Sequence, residues 1–221
     1  MQAQAYRYIR ENIATCKYLP KQLISESQIQ SELGFSRTPV REAIGRLAQE
    51  GLLIVYPKRG IMVSGISITD IHKIFEVRSM LEPYTLRTYH ENLDMDQIQY
   101  FADIFHEYCD RDRSQEQSFD LLDNFYQLDD KFHSTILSAL ENEYLLALYE
   151  RIHTQSIRLR VMSGKFVEAR LQRTMEEHLE ISNACLDRNW EKAAQAMEVH
   201  LVNSKKSSLE TILKSNIPDI F

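Results

Sequence analysis

The chain has 221 residues, of which 43% are hydrophobic, and its net charge at pH 7 is −6. This length can form one large core or two smaller ones. The three cysteines are widely spaced and include no Cys-x-x-Cys pair, which argues against a disulfide framework and against a thiolate zinc site. No apolar run approaches the roughly 20 residues of a membrane-spanning helix, and the N-terminus does not resemble a signal peptide. We therefore expect a cytoplasmic protein that binds no membrane.

The charge is unevenly distributed along the chain. Residues 1–65 contain nine Lys or Arg and five Asp or Glu, whereas residues 66–221 contain 17 and 27. A basic N-terminal part before an acidic remainder favours nucleic-acid binding at one end only. With only six glycines and five prolines, and with long segments of helical period, the chain is predicted to be mainly α-helical.

Three helices are predicted before residue 51. The first covers residues 3–16, where apolar residues recur at helical spacing. A capping box at Ser25–Gln28 begins the second helix, and Gly34 ends it. The third helix begins after a short link and stops near Glu50, because the following glycine can supply a left-handed C-terminal cap. The second and third helices together predict a helix-turn-helix.

The start of the third helix has the features of a DNA-recognition helix. Ser36 or Thr38 can cap its free amides, and Pro39 suits a first helical turn. Arg37 and Arg41 lie one turn apart on one side of the helix. The opposite side is apolar and consists of Val40, Ala43, Ile44 and Leu47. Because arginine can form two hydrogen bonds with a guanine edge and helix N-termini favour phosphate, this helix is predicted to contact the major groove.

Two β-favouring runs follow, Leu52–Tyr56 and Ile61–Val63, on either side of a basic turn. They predict a hairpin, and three helices followed by a hairpin form a winged helix-turn-helix. At the tip of this wing, Lys58 and Arg59 are predicted to contact phosphate. Gly60 is predicted to let the backbone approach a groove without a side chain in the way.

This part of the chain resembles the GntR family of bacterial transcription factors. The resemblance spans about residues 5–65 and lies in Ser36–Ala43, Gly51–Leu53 and Arg59–Gly60. It implies that Arg37 and Arg41 contact operator bases, that Thr38 contacts the DNA backbone and that Gly60 lies near the minor groove. The family often has an arginine where this chain has Ser27, so base recognition should depend chiefly on Arg37 and Arg41.

The chain is predicted to have two domains. Residues 1–66, the head, form the winged helix-turn-helix DNA-binding domain with its small β-hairpin. Residues 67–221, the body, form an antiparallel bundle of about six helices. The first of these helices begins at Asp70, and the others cover residues 94–112, 116–140, 143–162, 166–187 and 189–214.

Arg78 lies on the apolar face of the first body helix. A buried guanidinium group without a partner costs roughly 3–5 kcal/mol. Two interpretations remain open: an internal salt bridge to a carboxylate of the body, or binding of the carboxylate of an acidic ligand.

Four residues of the body are candidate metal ligands. Asp129 and His133 share the inward face of one predicted helix, and His178 and His200 lie on the apolar faces of two later helices. Each histidine alone is typical of a hydrogen-bonded core residue. Together, however, the three histidines and one aspartate can converge on one ion, and this donor set suits Zn²⁺, Ni²⁺, Mn²⁺ or Fe²⁺.

The body resembles the FCD domain, the effector-binding part of the FadR subfamily. The resemblance covers nearly all of the body and lies in Glu76–Pro83, Asp129–His133, His178 and His200. It implies that Asp129, His133, His178 and His200 hold a divalent metal ion. It also implies that a small organic acid binds at or beside the ion, with Arg78 nearby. A body of six helices resembles the VanR-like branch.

We therefore expect a homodimeric transcriptional regulator, not an enzyme. Its two recognition helices would bind a pseudo-palindromic operator in double-stranded DNA. A small organic acid would control the operator affinity, and repression is favoured over activation.

Two alternatives use the same three-His, one-Asp site. In the first, the metal itself is the effector. In the second, the body is a metalloenzyme whose ion activates water. The second alternative lacks a convincing general base and gives the DNA-binding head no role.

Overall fold

The structure, a computed structural model, describes residues 1–110, 119–164 and 168–214. The α-helices are α1 Gln2–Ala14, α2 Glu26–Leu33, α3 Arg37–Gln49, α4 Ile68–Thr88, α5 Met95–Asp110, α6 Phe119–Ser138, α7 Glu143–Gly164, α8 Glu168–Leu186 and α9 Trp190–Lys214. The strands are β1 Leu23–Ile24, β2 Leu53–Tyr56 and β3 Gly60–Val63. The predicted fold, mainly α-helical with a winged helix-turn-helix and a helical body, is confirmed. The predicted helix ends at residues 112, 116 and 166 lie outside the described residues. Among the residues described, no helix combines the length and apolar character needed to cross a membrane.

The head packs three helices against a small antiparallel sheet. Ile9 and Ile13 of α1, Ile29 of α2, and Val40 and Leu47 of α3 are all fully buried. They form one cluster with the apolar residues of the sheet, because each helix has its apolar residues on one face. This core holds α3 in place while its polar side remains exposed.

The sheet contains a strand that the sequence pattern did not predict. The strand order is β1-β3-β2, so β3 is central. Leu23 and Ile24 of β1 pair with Met62 and Ile61 of β3. Two residues are too few for an alternating pattern to be recognised in the sequence. The pairing attaches the wing to the segment that precedes α2.

Two helix starts differ in detail from the prediction. Ser25 Oγ accepts a hydrogen bond from the backbone N–H of Gln28, as expected for a cap. The Gln28 side chain, however, donates to Glu32 instead of completing the capping box. At α3, Ser36 occupies the N-cap position but accepts no side-chain capping bond from any described residue. The predicted cap of α3 is therefore wrong, and Thr38 already lies within that helix.

In the described ranges the body is a bundle of six α-helices. Helix α4 packs against α9, and α8 packs against both α5 and α9. Phe101, Phe105 and Phe132 meet in the core, with Phe132 edge-to-face against the other two rings. Helix α4 begins at Ile68, before the predicted start, because Ser67 and the Asp70 side chain form a complete capping box.

Helix α7 joins the body to the head. Arg10 of α1 donates from Nε to Thr154 Oγ1 of α7 at 2.6 Å. Arg158 of α7 is fully buried, and its Nη2 donates at 2.6 Å to the carbonyl oxygen of Ser64, just after the wing. The domain boundary between residues 66 and 67 stays a prediction.

Candidate metal centre and DNA-binding surface

Three of the predicted metal ligands meet in the core of the body. His133 of α6, His178 of α8 and His200 of α9 are at most 1% exposed. One ring nitrogen from each lies within 4.8 Å of the others, and the Nε2 atoms of His178 and His200 are 3.3 Å apart. Two ligands that each lie about 2.1 Å from a tetrahedral ion are separated by roughly this distance. The sequence pattern placed each histidine on an apolar face, and the structure brings all three together.

Two carboxylates, one fully buried and one partly buried, orient two of these rings. His133 Nδ1 donates to Glu82 Oε2 at 2.7 Å, and His200 Nδ1 donates to Glu177 Oε2 at 2.8 Å. With the Nδ1 proton of His133 directed at Glu82, the Nε2 atom of this ring carries the lone pair. His200 Nε2 faces His178 Nε2 at 3.3 Å and Ser204 Oγ at 3.4 Å. Burial alone would raise the pKa of Glu177, but hydrogen bonds from His200 and Arg170 lower it to about 2. A histidine that binds a metal through one ring nitrogen commonly donates its other ring N–H to such a carboxylate.

His133 and His178 are in the protonation state that metals require. Burial lowers the pKa of His133 and of His178 well below the usual 6.5, so both are neutral at pH 7. A metal binds the neutral imidazole. His133 Nε2 is buried and has no hydrogen-bond partner among the described residues, which leaves its lone pair available to a ligand.

Asp129 lies beside the three rings. Its Oδ1 is 3.5 Å from His178 Nε2 and 3.9 Å from His133 Nε2, while its Oδ2 forms an ion pair with Arg160 Nε. Burial alone would raise the pKa of Asp129, but the charge of Arg160 lowers it below its usual value. One oxygen of an ionised carboxylate therefore faces the histidines. Three imidazoles and this carboxylate fit a divalent transition metal.

Arg78 forms the internal salt bridge that was one of its two interpretations. Its Nε donates to Glu82 Oε1 at 2.6 Å, and both side chains are almost completely buried. Glu82 thus accepts from Arg78 and from His133. Sequence reasoning missed Glu82, although it lies one helical turn after Arg78, and it missed Glu177, which directly precedes His178. Effector binding by Arg78 stays a prediction.

A cavity adjoins the histidine cluster. Its polar lining includes Arg78, Asp129, Ser156, Arg160, Arg170 and His200. About 60 Å³ of it is open to the centres of water molecules, which corresponds to about five waters. Three guanidinium groups around so small a space favour an anion. Sequence reasoning missed Arg160, because nothing in its local pattern distinguishes it from other arginines of α7.

The predicted DNA-contacting residues of α3 are on the surface. The side chains of Arg37 and Arg41 are 72% and 63% exposed, and Ser36 and Thr38 are exposed beside them. Both arginines face Glu26 at the start of α2. The distance from Arg41 Nε to Glu26 Oε1 is 2.9 Å, and that from Arg37 Nε to Glu26 Oε2 is 3.8 Å. Sequence reasoning did not identify this acidic partner.

The tip of the wing is exposed and basic. Lys58 and Arg59 project from the turn between β2 and β3. Gly60 has φ 111°, and a Cβ there would lie 3.4 Å from the carbonyl oxygen of Ile24. The positive φ requires glycine for the turn itself. The close approach of Gly60 to a DNA groove stays a prediction.

Comparison with known families identifies both parts of the chain. Residues 1–63 match the family described as bacterial regulatory proteins, gntR family, and residues 73–203 match the FCD domain. The HTH-type transcriptional repressor RspR of Escherichia coli strain K12 is 28% identical over 205 residues. The match covers 92% of this chain and 87% of RspR.

Solved structures share the fold. A GntR regulator from Rhodococcus sp. RHA1 superposes with a TM-score of 0.77 at 21% identity, over 95% of this chain and 97% of its own. The metal-free FCD domain of TM0439 superposes with a TM-score of 0.53 at 18% identity, over 68% of this chain and 99% of its own. These relatives are regulators and not enzymes. Assignment of this chain to the FadR subfamily and its VanR-like branch stays a prediction. The chain therefore belongs to the GntR family of bacterial transcriptional regulators, with a DNA-binding winged helix-turn-helix as its head and an FCD domain as its body.

Proposed function

We propose that this regulator is a repressor whose operator affinity is controlled by a small organic acid bound beside a divalent metal ion. The observation that supports this most strongly is the cluster of His133, His178 and His200 beside a cavity lined by guanidinium groups. Neutral imidazoles suit a cation, and guanidinium groups suit a carboxylate, so the two sites complement each other. The relative RspR is named a repressor, which favours repression.

In this proposal Asp129, His133, His178 and His200 hold the ion, which is Zn²⁺, Ni²⁺, Mn²⁺ or Fe²⁺ by the chemistry of the donors. The bound ion supplies positive charge that attracts the carboxylate of the acid. Arg78 lines the same cavity and adds a second positive charge. An acid that prefers one arrangement of the body helices then shifts the balance between operator-binding and non-binding forms.

The head recognises the operator. Arg37 and Arg41 bind base edges in the major groove, because their guanidinium groups match the guanine edge. The other contacts, which fix the position of the head on the duplex, are made by Ser36, Thr38, Lys58, Arg59 and Gly60. Two heads of a homodimer bind the two halves of a pseudo-palindromic operator, and the protein acts in the bacterial cytoplasm.

Three measurements on one preparation test the proposal: metal content, thermal unfolding and binding to an operator found by selection from random DNA. Wild-type protein should contain about one divalent ion per chain. A matching carboxylic acid at about 100 times its Kd should stabilise the fold by about 2.7 kcal/mol and weaken operator binding. A preparation that stays metal-free after exposure to each of the four ions would contradict the proposal.

The substitution His178→Ala should remove the metal and the response to acid, because it deletes a central ligand. Operator affinity without acid should change little, since His178 lies in the body, away from α3. The matched control is His106→Ala, which alters an exposed histidine of α5 and should retain both properties. If the metal alone changes operator affinity and no acid changes it further, the metal is the effector.

A further inference from the structure

Helix α7 has two functional faces. Thr154 and Arg158, one turn apart, contact Arg10 and Ser64 of the head. Two residues further along, Ser156 and Arg160 line the cavity beside the histidine cluster. One rigid helix therefore contacts the head with one side and the cavity with the other.

The Arg160 guanidinium group has one nitrogen, Nη2, that is available to a ligand. Its Nε is ion-paired with Asp129, and its Nη1 donates to Asp130 Oδ1 at 2.7 Å. Its Nη2 is buried and has no hydrogen-bond partner among the described residues. The side chain is 7% exposed, so bulk water does not satisfy this group. A buried N–H donor without an acceptor is unfavourable, and an anion in the cavity would remove the deficit.

Ser156 has a second unsatisfied polar atom in the same cavity. The residue is 1% exposed, and its Oγ lacks a hydrogen-bond partner in the part of the chain that the structure describes. Ser156 and Arg160 are four residues apart on α7 and therefore lie on the same side of the helix. A carboxylate has two acceptor oxygens, one for each of these donors.

Arg78 is less available to a ligand. Its Nε and Nη2 both point to the Glu82 carboxylate, at 2.6 and 3.5 Å. That carboxylate also accepts from His133 Nδ1. If Arg78 turned towards a ligand, Glu82 would lose its ion pair and His133 would lose a fixed partner.

We infer that Arg160 Nη2 and Ser156 Oγ bind the effector's carboxylate directly, and that Arg78 is a positioning residue which orients His133 through Glu82. This rests on the proposed function, because it concerns the same cavity. The small volume of the cavity favours a short-chain carboxylate. Such a ligand would contact the side of α7 opposite to the one that contacts the head.

Titration calorimetry on the metal-loaded full-length protein tests the assignment. A panel of short acids, including acetate, propionate, butyrate, lactate and succinate, is titrated into wild type, and the tightest binder is used for the variants. Ser156→Ala should weaken its binding by about 2- to 10-fold, the loss of one hydrogen bond. Arg160→Lys should weaken it by about tenfold or more, because lysine cannot reproduce a planar guanidinium contact. The matched control, Arg151→Lys, alters an exposed arginine of the same helix and should leave the affinity unchanged. Arg78→Lys should disturb Glu82 and His133 and so lower the metal content, while protein that keeps its metal still binds the acid.

Metal content is measured for each variant. If Arg160→Lys also loses metal, Ser156→Ala is the deciding variant, because among the described residues Ser156 Oγ forms no hydrogen bond to a predicted metal ligand. Wild-type acid affinity in both Ser156→Ala and Arg160→Lys would overturn the inference, and so would a loss of binding confined to Arg78→Lys protein that keeps its metal. If no acid binds the metal-loaded wild type at all, the proposed function itself fails.

Discussion

Two glutamate side chains in the body each accept hydrogen bonds from at least two other side chains. Glu82 accepts from Arg78 and His133, and Glu177 accepts from His200 and Arg170. Because each carboxylate fixes a histidine ring and neutralises an arginine, the effects of substitutions here should not be additive. The candidate metal centre is a connected network of charged groups.

In the head, Arg41→Ala should cost about 1–3 kcal/mol of discrimination at one base pair of each half-site. The reason is that a bidentate contact to one base edge is lost while the phosphate contacts remain. Arg59→Ala is the contrasting control: it should weaken binding to all sequences alike and reduce the salt dependence by about one phosphate contact. Binding selections and salt titrations measure the two effects. An unchanged base preference in Arg41→Ala would contradict the assignment.

The sequence predicted the buried histidines but not their partners. His133, His178 and His200 are recognisable because each occupies an apolar position of a helical pattern. Glu82, the partner of His133, lies on another helix. The same is true of Arg160, the partner of Asp129. Such partners depend on how the helices pack, which no pattern within one helix encodes.

At the level of secondary-structure elements, α7 connects the proposed effector site with the head. Arg158 is fully buried and donates to the Ser64 carbonyl and to Gln155. Burial lowers the pKa of Arg158 to about 10, so the group remains charged at pH 7. A charged group that is held by a backbone carbonyl fixes the end of the wing against the body.

Replacing Arg158 with Met should uncouple the two parts while keeping most of the apolar contact. We expect a smaller change of operator affinity on acid binding, and a loss of about 1.5–3 kcal/mol in the free energy of unfolding for the charged hydrogen bond. Arg10→Met is the milder control, since the Arg10 side chain is 27% exposed. Operator titrations with and without acid, together with urea unfolding, measure both effects. A full acid response in Arg158→Met would exclude α7 as the connection through this residue.

The long elements were predicted well, whereas the shortest one, β1, was not. The six body helices are long enough for their periodicity to be clear. Strand β1 has two residues and exists only because Leu23 and Ile24 pair with β3. At α3, the sequence favours a Ser36 cap, but the serine side chain accepts no such bond from the described residues. Local signals of this kind are decided by the tertiary structure.

At the scale of the whole molecule, the described residues form one apolar core cluster in the head and two in the body, so the stability of the protein depends on groups in both parts. In the body, burial holds the pKa of His133 and of His178 well below 6.5. An unfolded histidine titrates near pH 6.5. As pH falls below about 6.5, the unfolded chain therefore binds protons that the folded chain does not, and stability is lost.

Two such histidines should lower the stability of the metal-free protein by up to about 2.7 kcal/mol per pH unit in this window. Urea unfolding of the metal-free protein at several values between about pH 7.5 and pH 5 measures this slope. His178→Gln should reduce it by about half, whereas His106→Gln should leave it unchanged. Equal stability at both ends of the range would show that the two rings are not held neutral.

Glu26 should affect how the protein searches chromosomal DNA for its operator. Its carboxylate neutralises part of the charge of Arg37 and Arg41 in the free protein, so random DNA must displace an ion pair before it can bind these arginines. An exposed pair of this kind contributes up to about 1 kcal/mol, or about a fivefold change in an equilibrium constant. A guanine of the operator offsets this cost through two directed hydrogen bonds, whereas a phosphate group alone offsets less of it. Glu26 should therefore shorten the residence time on incorrect sites and speed the sampling of chromosomal DNA.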